Sequence, residues 1–232
     1  MLCKYGLKML AAGALIASHS IGVQAAVLWD QQPDANARAF VDQDFTDFPD
    51  FSTFLVSDVV FSSNVTVNSV TTYFTNLNST WPQSGNGTAI LNIFADPLAS
   101  ADDPTAGTSV TAAYSVDATG ISLTASGLSI DLAAGTYWIG LTPILIFGDV
   151  GQEFHQQAAS TVGANTQGRN PGGGFGFGTD WFDAGPAFGG LNEWDAAITI
   201  EGESVPAPAT LVLLGLGLAG IGYQRRKHIK AP

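Results

Sequence analysis

Residues 65–74 read Val65-Thr66-Val67-Asn68-Ser69-Val70-Thr71-Thr72-Tyr73-Phe74. Apolar and polar side chains alternate as far as Val67, Asn68-Ser69 interrupts them, and the β-rich pattern resumes at Val70. A period of two marks a strand with one buried face. An interruption that leaves the strand running is what a bulge or bend leaves in a sequence. The same reading extends outward to residues 54–61, 89–94, 109–116, 121–123, 128–132, 136–141 and 194–200. Turn-forming residues separate these segments at 82–87, 102–104 and 134–135. Helical periodicity is almost absent and no repeat of fixed period occurs. Many short strands with polar turns predict an all-β chain, a single β-sandwich or jelly-roll-like domain over residues 26–204.

The two ends read differently from this middle. Residues 1–25 carry Lys4 and Lys8, then a mostly apolar stretch from Met9 to Val23, then Gln24 and Ala25. That order is the layout of a secretory signal peptide, read by the Sec translocation machinery and cut after Ala25. The single cysteine, Cys3, leaves with it, so the exported body holds no disulfide and must rest on its core. The chain has 8 Lys and Arg against 20 Asp and Glu. Only Arg38 and Arg169 lie within residues 26–204, which hold all twenty acids, a formal charge of −18. Such a body repels phosphate backbones and excludes nucleic acid as a partner.

At the other end, Val205-Pro206-Ala207-Pro208 precedes fifteen uncharged residues, 209–223, and then Arg225, Arg226, Lys227 and Lys230. As a helix, fifteen residues cover about 22 Å, against a hydrocarbon thickness of about 30 Å. The span is short and weak. The basic residues keep its end cytoplasmic and the body outside. Motif, apolar run and basic cluster in this order resemble the PEP-CTERM sorting signal of Gram-negative bacteria, with Ala207 where that family usually has Glu. The resemblance implies Val205, Pro206, Ala207 and Pro208 as the sorting motif and Arg225, Arg226 and Lys227 as the basic stop. It implies an exosortase-type enzyme as processing partner, a transient stay in the inner membrane, and delivery to the cell surface or exopolysaccharide matrix. An ordinary short C-terminal anchor is the plainer alternative. The strand segments, among them "LNIFADP", "GTYWIGL" and "WDAAITIEG", are also similar to β-sandwich bodies that precede such tails.

Three stretches of the body are candidates for binding. Asp42, Asp44, Asp47 and Asp50 place four carboxylates within nine residues, enough to supply several calcium ligands, with Asp30 or Asp34 as further donors. They do not fit an EF-hand loop, because position six is Asp47 and position twelve is Thr53. A solvated acidic loop is the alternative. Asp96, Asp102 and Asp103 form a second group of the same kind. Residues 168–190 contain nine glycines with Phe175, Phe177, Trp181, Phe182 and Phe188 interleaved. Exposed rings there, with Trp81 and Trp138, would stack on sugars in a carbohydrate-binding module, whereas buried rings would close one end of the core.

Little points to catalysis. The Gly-x-Gly-x-x-Gly at 215–220 lies inside the apolar tail, with no strand before it and no acidic partner after it. The body has one histidine, His155, read as a loop residue without a role. No His-Glu-x-x-His, nucleophile elbow or thiol accompanies it. The expectation is an exported, non-enzymatic surface or matrix protein without a cofactor, calcium aside. A carbohydrate-binding module and a glycan-cleaving enzyme with two carboxylates are the alternatives.

Overall fold

The computed structural model describes residues 25–34, 36, 38–75, 86–95, 108–187 and 193–205. The leader before Ala25, residues 206–232, Trp81, Phe188, Asp96, Asp102 and Asp103 lie outside them. The strands are β1 (Ala26–Gln31), β2 (Ala39–Val41), β3 (Asp44–Phe45), β4 (Phe54–Phe61), β5 (Val65–Thr75), β6 (Asn86–Phe94) and β7 (Thr108–Val116). They continue as β8 (Ser122–Leu132), β9 (Gly135–Leu145), β10 (Phe154–Gln156), β11 (Gln167–Arg169), β12 (Trp181–Asp183) and β13 (Ile198–Ser204). Helical structure amounts to a 3₁₀ turn, Pro49–Phe51, and two four-residue turns, α1 (Phe147–Val150) and α2 (Ala184–Ala187).

The main hydrogen-bonded path runs β1-β13-β5-β8-β7-β6-β9-β4-β11-β12, and off it β10 pairs with β2 and β5 while β3 pairs with β9. Every pairing is antiparallel except the short contact of β3 with β9. The sheet is therefore continuous and curled, and its two halves face each other across a shared interior. The link between the halves is slender. β7 and β8 pair only at Tyr114↔Ala125, Ser115↔Thr124 and Val116↔Leu123. Inward side chains from both halves fill the gap, among them Val67, Val70, Leu91, Leu123, Leu141 and Ile200, each fully buried.

β5 carries the curl. It pairs with β13 on one side and β8 on the other, and both ladders slip at Asn68. On β13 the step from Ser69 to Val67 spans one residue, Glu201 to Gly202. On β8 it spans Ser126 to Ile130, where Gly127 adopts φ +72°. The interruption in the alternation is a bulge in one unbroken strand. Opposite it, the segments expected at 121–123 and 128–132 join into the single strand β8. A further correction concerns the last strand. Residues 194–197 are buried but, apart from the isolated Ala196↔Gln157 bridge, unpaired as strand, and β13 begins at Ile198.

A second, smaller core lies outside the sheet, where Phe40, Val41, Phe45, Leu55, Ala184, Trp194 and Ala196 pack together. This is why β4 reads as an apolar run rather than an alternation: residues 55–59 are covered on both faces. Gly140 on β9 permits the close approach, since a Cβ there would overlap the Leu55 carbonyl oxygen.

Leu91→Ala should lower stability by about 2–5 kcal/mol. Val60→Ala, at a position 50% exposed on β4, should stay within about 0.5 kcal/mol. Urea midpoints at unchanged slope would measure both, and equal losses at the two positions would contradict this assignment of faces.

Candidate functional site

The four carboxylates of the acidic run part company in the fold. Asp42 is fully buried. Its Oδ1 accepts from Thr142 Oγ1 at 2.6 Å and its Oδ2 lies 2.9 Å from His155 Nδ1. Asp44 accepts from Ser52 Oγ at 2.9 Å. Asp47 is exposed and accepts from the N–H groups of Phe147 and Gly148 at 2.8 and 3.0 Å. Asp50 is exposed in the 3₁₀ turn. Asp30 and Asp34 accept from their own neighbours, Asp30 from Gln32 and Thr199 and Asp34 from the Asn36 N–H. Among the described residues, no three His, Cys, Asp or Glu side chains are grouped to hold a metal ion.

His155 is not a loop residue. It is the central residue of β10, 1% exposed, with the Phe74 ring 5.1 Å away. Its Nε2 lies 2.7 Å from the Ala197 carbonyl oxygen, which can only accept, so that nitrogen carries a proton. One further proton lies between Nδ1 and Asp42. Both ring nitrogens are thus occupied in the interior, and a Ser-His-Asp triad cannot be built on this imidazole, whose Nε2 would have to face a serine. Burial pushes the Asp42 carboxyl above its ordinary pKa, against the opposing pull of His155 and Thr142.

A buried pair of acids, Asp58 and Asp195, pins residues 162–164. Asp195 Oδ2 accepts from Val162 N–H at 2.8 Å and Gln31 Nε2 at 3.2 Å, and Asp58 Oδ2 accepts from Ala164 N–H at 3.2 Å. Gly163, at φ +87°, passes so close to Asp58 that a Cβ would overlap its carboxylate. Burial first, and then the charge of Asp58, raise Asp195 to about 6. Burial likewise raises Asp58. Against its own desolvation, Asp47 is held below the usual range by its two N–H donors.

The glycine-rich stretch is an ordered loop. Asn170 Nδ2 donates to the carbonyls of Asp50 and Ser52, both at 2.9 Å, and its Oδ1 accepts from Phe175 N–H at 3.0 Å. Gly172 and Gly174 lie against the Asp50 backbone, where a side chain would clash. Trp181 is 9% exposed, edge-on to Phe94 at 5.5 Å, with the Arg169 guanidinium 6.0 Å from its ring centre. Phe175 is half-buried against Phe51, and Phe177 is 37% exposed beside Phe40 and Phe182. Of the three rings expected to act together, Phe175 and Phe177 lie side by side at 6.2 Å, whereas Trp181 belongs to a separate cluster with Val56 and Phe94. Trp138 is half-buried at the Val56–Phe94–Trp181 cluster.

What the acidic reading overlooked is the residue after each acid. Against the expectation of no fixed repeat, Asp44-Phe45, Asp47-Phe48 and Asp50-Phe51 form a short triplet repeat. Phe45, Phe48, Phe51, Phe147, Gln152 and Phe175 line an open cavity of about 290 Å³. A second cleft of about 290 Å³ brings Asn92, Ser109 and Arg169 beside Phe54 and Trp181.

At the far end of the sheet, β13 closes against β5 at Ser204↔Val65, and Val205 N–H donates to the Asn64 carbonyl at 2.8 Å. Residues 204–227 match the family model of the PEP-CTERM protein-sorting motif. The chain carries a PEP-CTERM tail. That motif marks an exported, envelope-associated protein sorted by exosortase, and it starts on the last residue of β13. A search of curated proteins finds no match. Among the described residues no helix is long and apolar enough to cross a membrane, and the apolar run at 209–223 lies outside them.

The buried carboxylates give a signed pH dependence. Asp195 binds its proton more tightly folded, at about 6, than unfolded, near 3.8. Its ionised form therefore costs stability above pH 6, and that cost fades as the pH falls from 6 toward 4. Asp42 and Asp58 act in the same direction, while the lowered Asp47 and Asp117 lose their contribution only at lower pH. The melting temperature should rise by a few degrees from pH 8 to 5, at about 2–4 °C per kcal/mol. Asp195→Asn should flatten that rise. A melting temperature that falls over this interval would contradict the assignment.

Proposed function

We propose that the chain is a non-enzymatic structural protein of the cell surface or extracellular matrix. Its β-rich body is the delivered part, and the leader and tail are delivery devices. The observation that carries this reading is the junction at Ser204, where the sorting motif begins as the last strand ends. The leader takes the chain through the Sec machinery. The short apolar run at 209–223 holds it in the inner membrane for a time, its basic end inside, and exosortase processing releases the body toward exopolysaccharide. The internal, doubly occupied His155 supports a non-catalytic body, because the body's one histidine has no nitrogen left for proton transfer.

Carbohydrate binding is a second reading, favoured by the cleft at Arg169. There the guanidinium, the Asn92 amide and the Ser109 hydroxyl lie beside the Trp181 and Phe54 rings, the mixture of donors and apolar walls that sugars use. A polysaccharide titration that leaves tryptophan fluorescence unchanged would count against it.

Processing is tested by intact-mass analysis of surface material. The mature form should lack everything beyond about Pro208 and begin at Ala26. Surface protein that still carries Arg225 would reject the release step, and protein retained in the cytosol with residues 1–25 attached would reject the reading as a whole.

A further inference from the structure

The phenylalanine cavity lies at the end of the sandwich remote from the tail. β9 starts at Gly135, beside Asn64, whose Oδ1 accepts from Ala134 N–H and whose carbonyl accepts from Val205. It ends at Leu145, which pairs with Phe45 on the cavity floor. Eleven residues of strand, at about 3.3 Å each, separate the two ends by roughly 30 Å or slightly more. A body held by its tail presents this cavity away from the membrane.

The cavity walls are almost wholly apolar. Phe45 is buried, whereas Phe48, Phe51 and Phe147 keep 49%, 40% and 44% of their surface exposed, and Ile146 beside them keeps 46%. Phe147 meets Phe48 edge-to-face at 5.8 Å, and Phe175 meets Phe51 in the same way at 5.1 Å. These contacts prop the rings apart into two walls. Exposed apolar residues this concentrated mark a contact surface. The rim carries the opposite chemistry. Asp47 and Asp50 directly precede two of the wall rings and Asp149 stands two residues after the third, all three exposed. Neither Arg38 nor Arg169 lines the cavity.

We infer that this cavity docks a basic segment of a partner protein, which inserts one aromatic side chain between the phenylalanine walls and sets its Lys or Arg residues against the carboxylate rim. The rim decides among occupants. A second copy brings like charge to like charge, and an anionic lipid surface is repelled by the same three acids. Sugars find no donor or acceptor on the walls apart from Gln152. A cation beside an aromatic insert gains twice, from the carboxylates and from the faces of the rings. The docking surface does not depend on how the tail is processed.

The full exported body can be titrated with the tripeptide Lys-Trp-Lys, observed by ligand NMR, beside Glu-Trp-Glu, Lys-Gly-Lys and free indole. Lys-Trp-Lys should bind saturably and the other three at least about tenfold more weakly. Phe48→Ser, at an exposed ring, should weaken binding about tenfold. Asp50→Asn should weaken it about threefold, and raising salt to about 0.5 M should erase that difference. No saturable binding of Lys-Trp-Lys, or equal binding of Glu-Trp-Glu or indole, would overturn the proposal. So would co-sedimentation with phosphatidylcholine–phosphatidylglycerol vesicles or a concentration-dependent dimer, when either is lost in Phe48→Ser.

Discussion

A carboxylate in the interior must be answered by donors, and at Asp42 the answer ties the molecule together. Thr142 on β9 supplies one bond, His155 on β10 another, and His155 passes the connection on to the carbonyl of Ala197, just before β13. Three stretches distant in sequence are held to one point between the curled sheet and the smaller core outside it. An ion or a shared proton buried this way is costly, and removing one partner strands the other, at about 3–5 kcal/mol. The arrangement therefore gives specificity of packing more than net stability. It also fixes where the chain goes next: Asp44, Asp47 and Asp50 must leave toward solvent, and their phenylalanines follow the surface around the end of β9.

The curl depends on a cheaper device. The bulge at Asn68 bends β5 where two ladders meet it, so β13 and β8 can swing over β9 and β6. With only three residue pairs joining β7 to β8, hydrogen bonding contributes little to holding the halves closed. Side chains from both halves do that. No cysteine is present in the described residues to reinforce the closure, so packing bears most of it, beside the buried hydrogen bonds Thr72–Leu141 and Thr142–Asp42–His155. The full burial of Leu91, Leu123, Leu141 and Ile200 is the corresponding physical requirement.

How much of this was legible in the sequence follows from what each element's neighbours are. β5, β6, β7 and β9 alternate or run apolar because their faces are decided by the main core, and Asn68-Ser69 announces the bulge directly. β10, β11 and β12 are three residues each, too short for any period to register. Their pairing depends on loops being pinned by Asn170, Asp58 and Asp195. His155 looked idle because its partners are 113 and 42 residues away in sequence. The acidic run was legible as acid and illegible as architecture. Its alternation with phenylalanine, every third residue, held the information about the cavity. The sorting motif was readable because the order of proline-containing stretch, apolar run and basic cluster is carried by consecutive residues, 204–227.

The two ends of the sandwich are built for different neighbours. At the tail end the chain leaves from a paired strand, with Val205 still bonded to Asn64, so a pull on the tail is passed directly into the β13–β5 ladder rather than to a loose linker. That ladder runs through seven register pairs, including the slip at Gly202, where a side chain would collide with the Thr66 carbonyl. At the opposite end the pairing shrinks to the two residue pairs of β3 with β9. Short turns, phenylalanine rings and carboxylates meet solvent, and Asp47 holds α1 in place through two N–H groups. Rigid pairing stands where the sorting motif joins the body. A surface of exposed rings is tolerable only where the surrounding charge keeps identical copies apart, and a body with twenty acids against two bases supplies that repulsion at every approach.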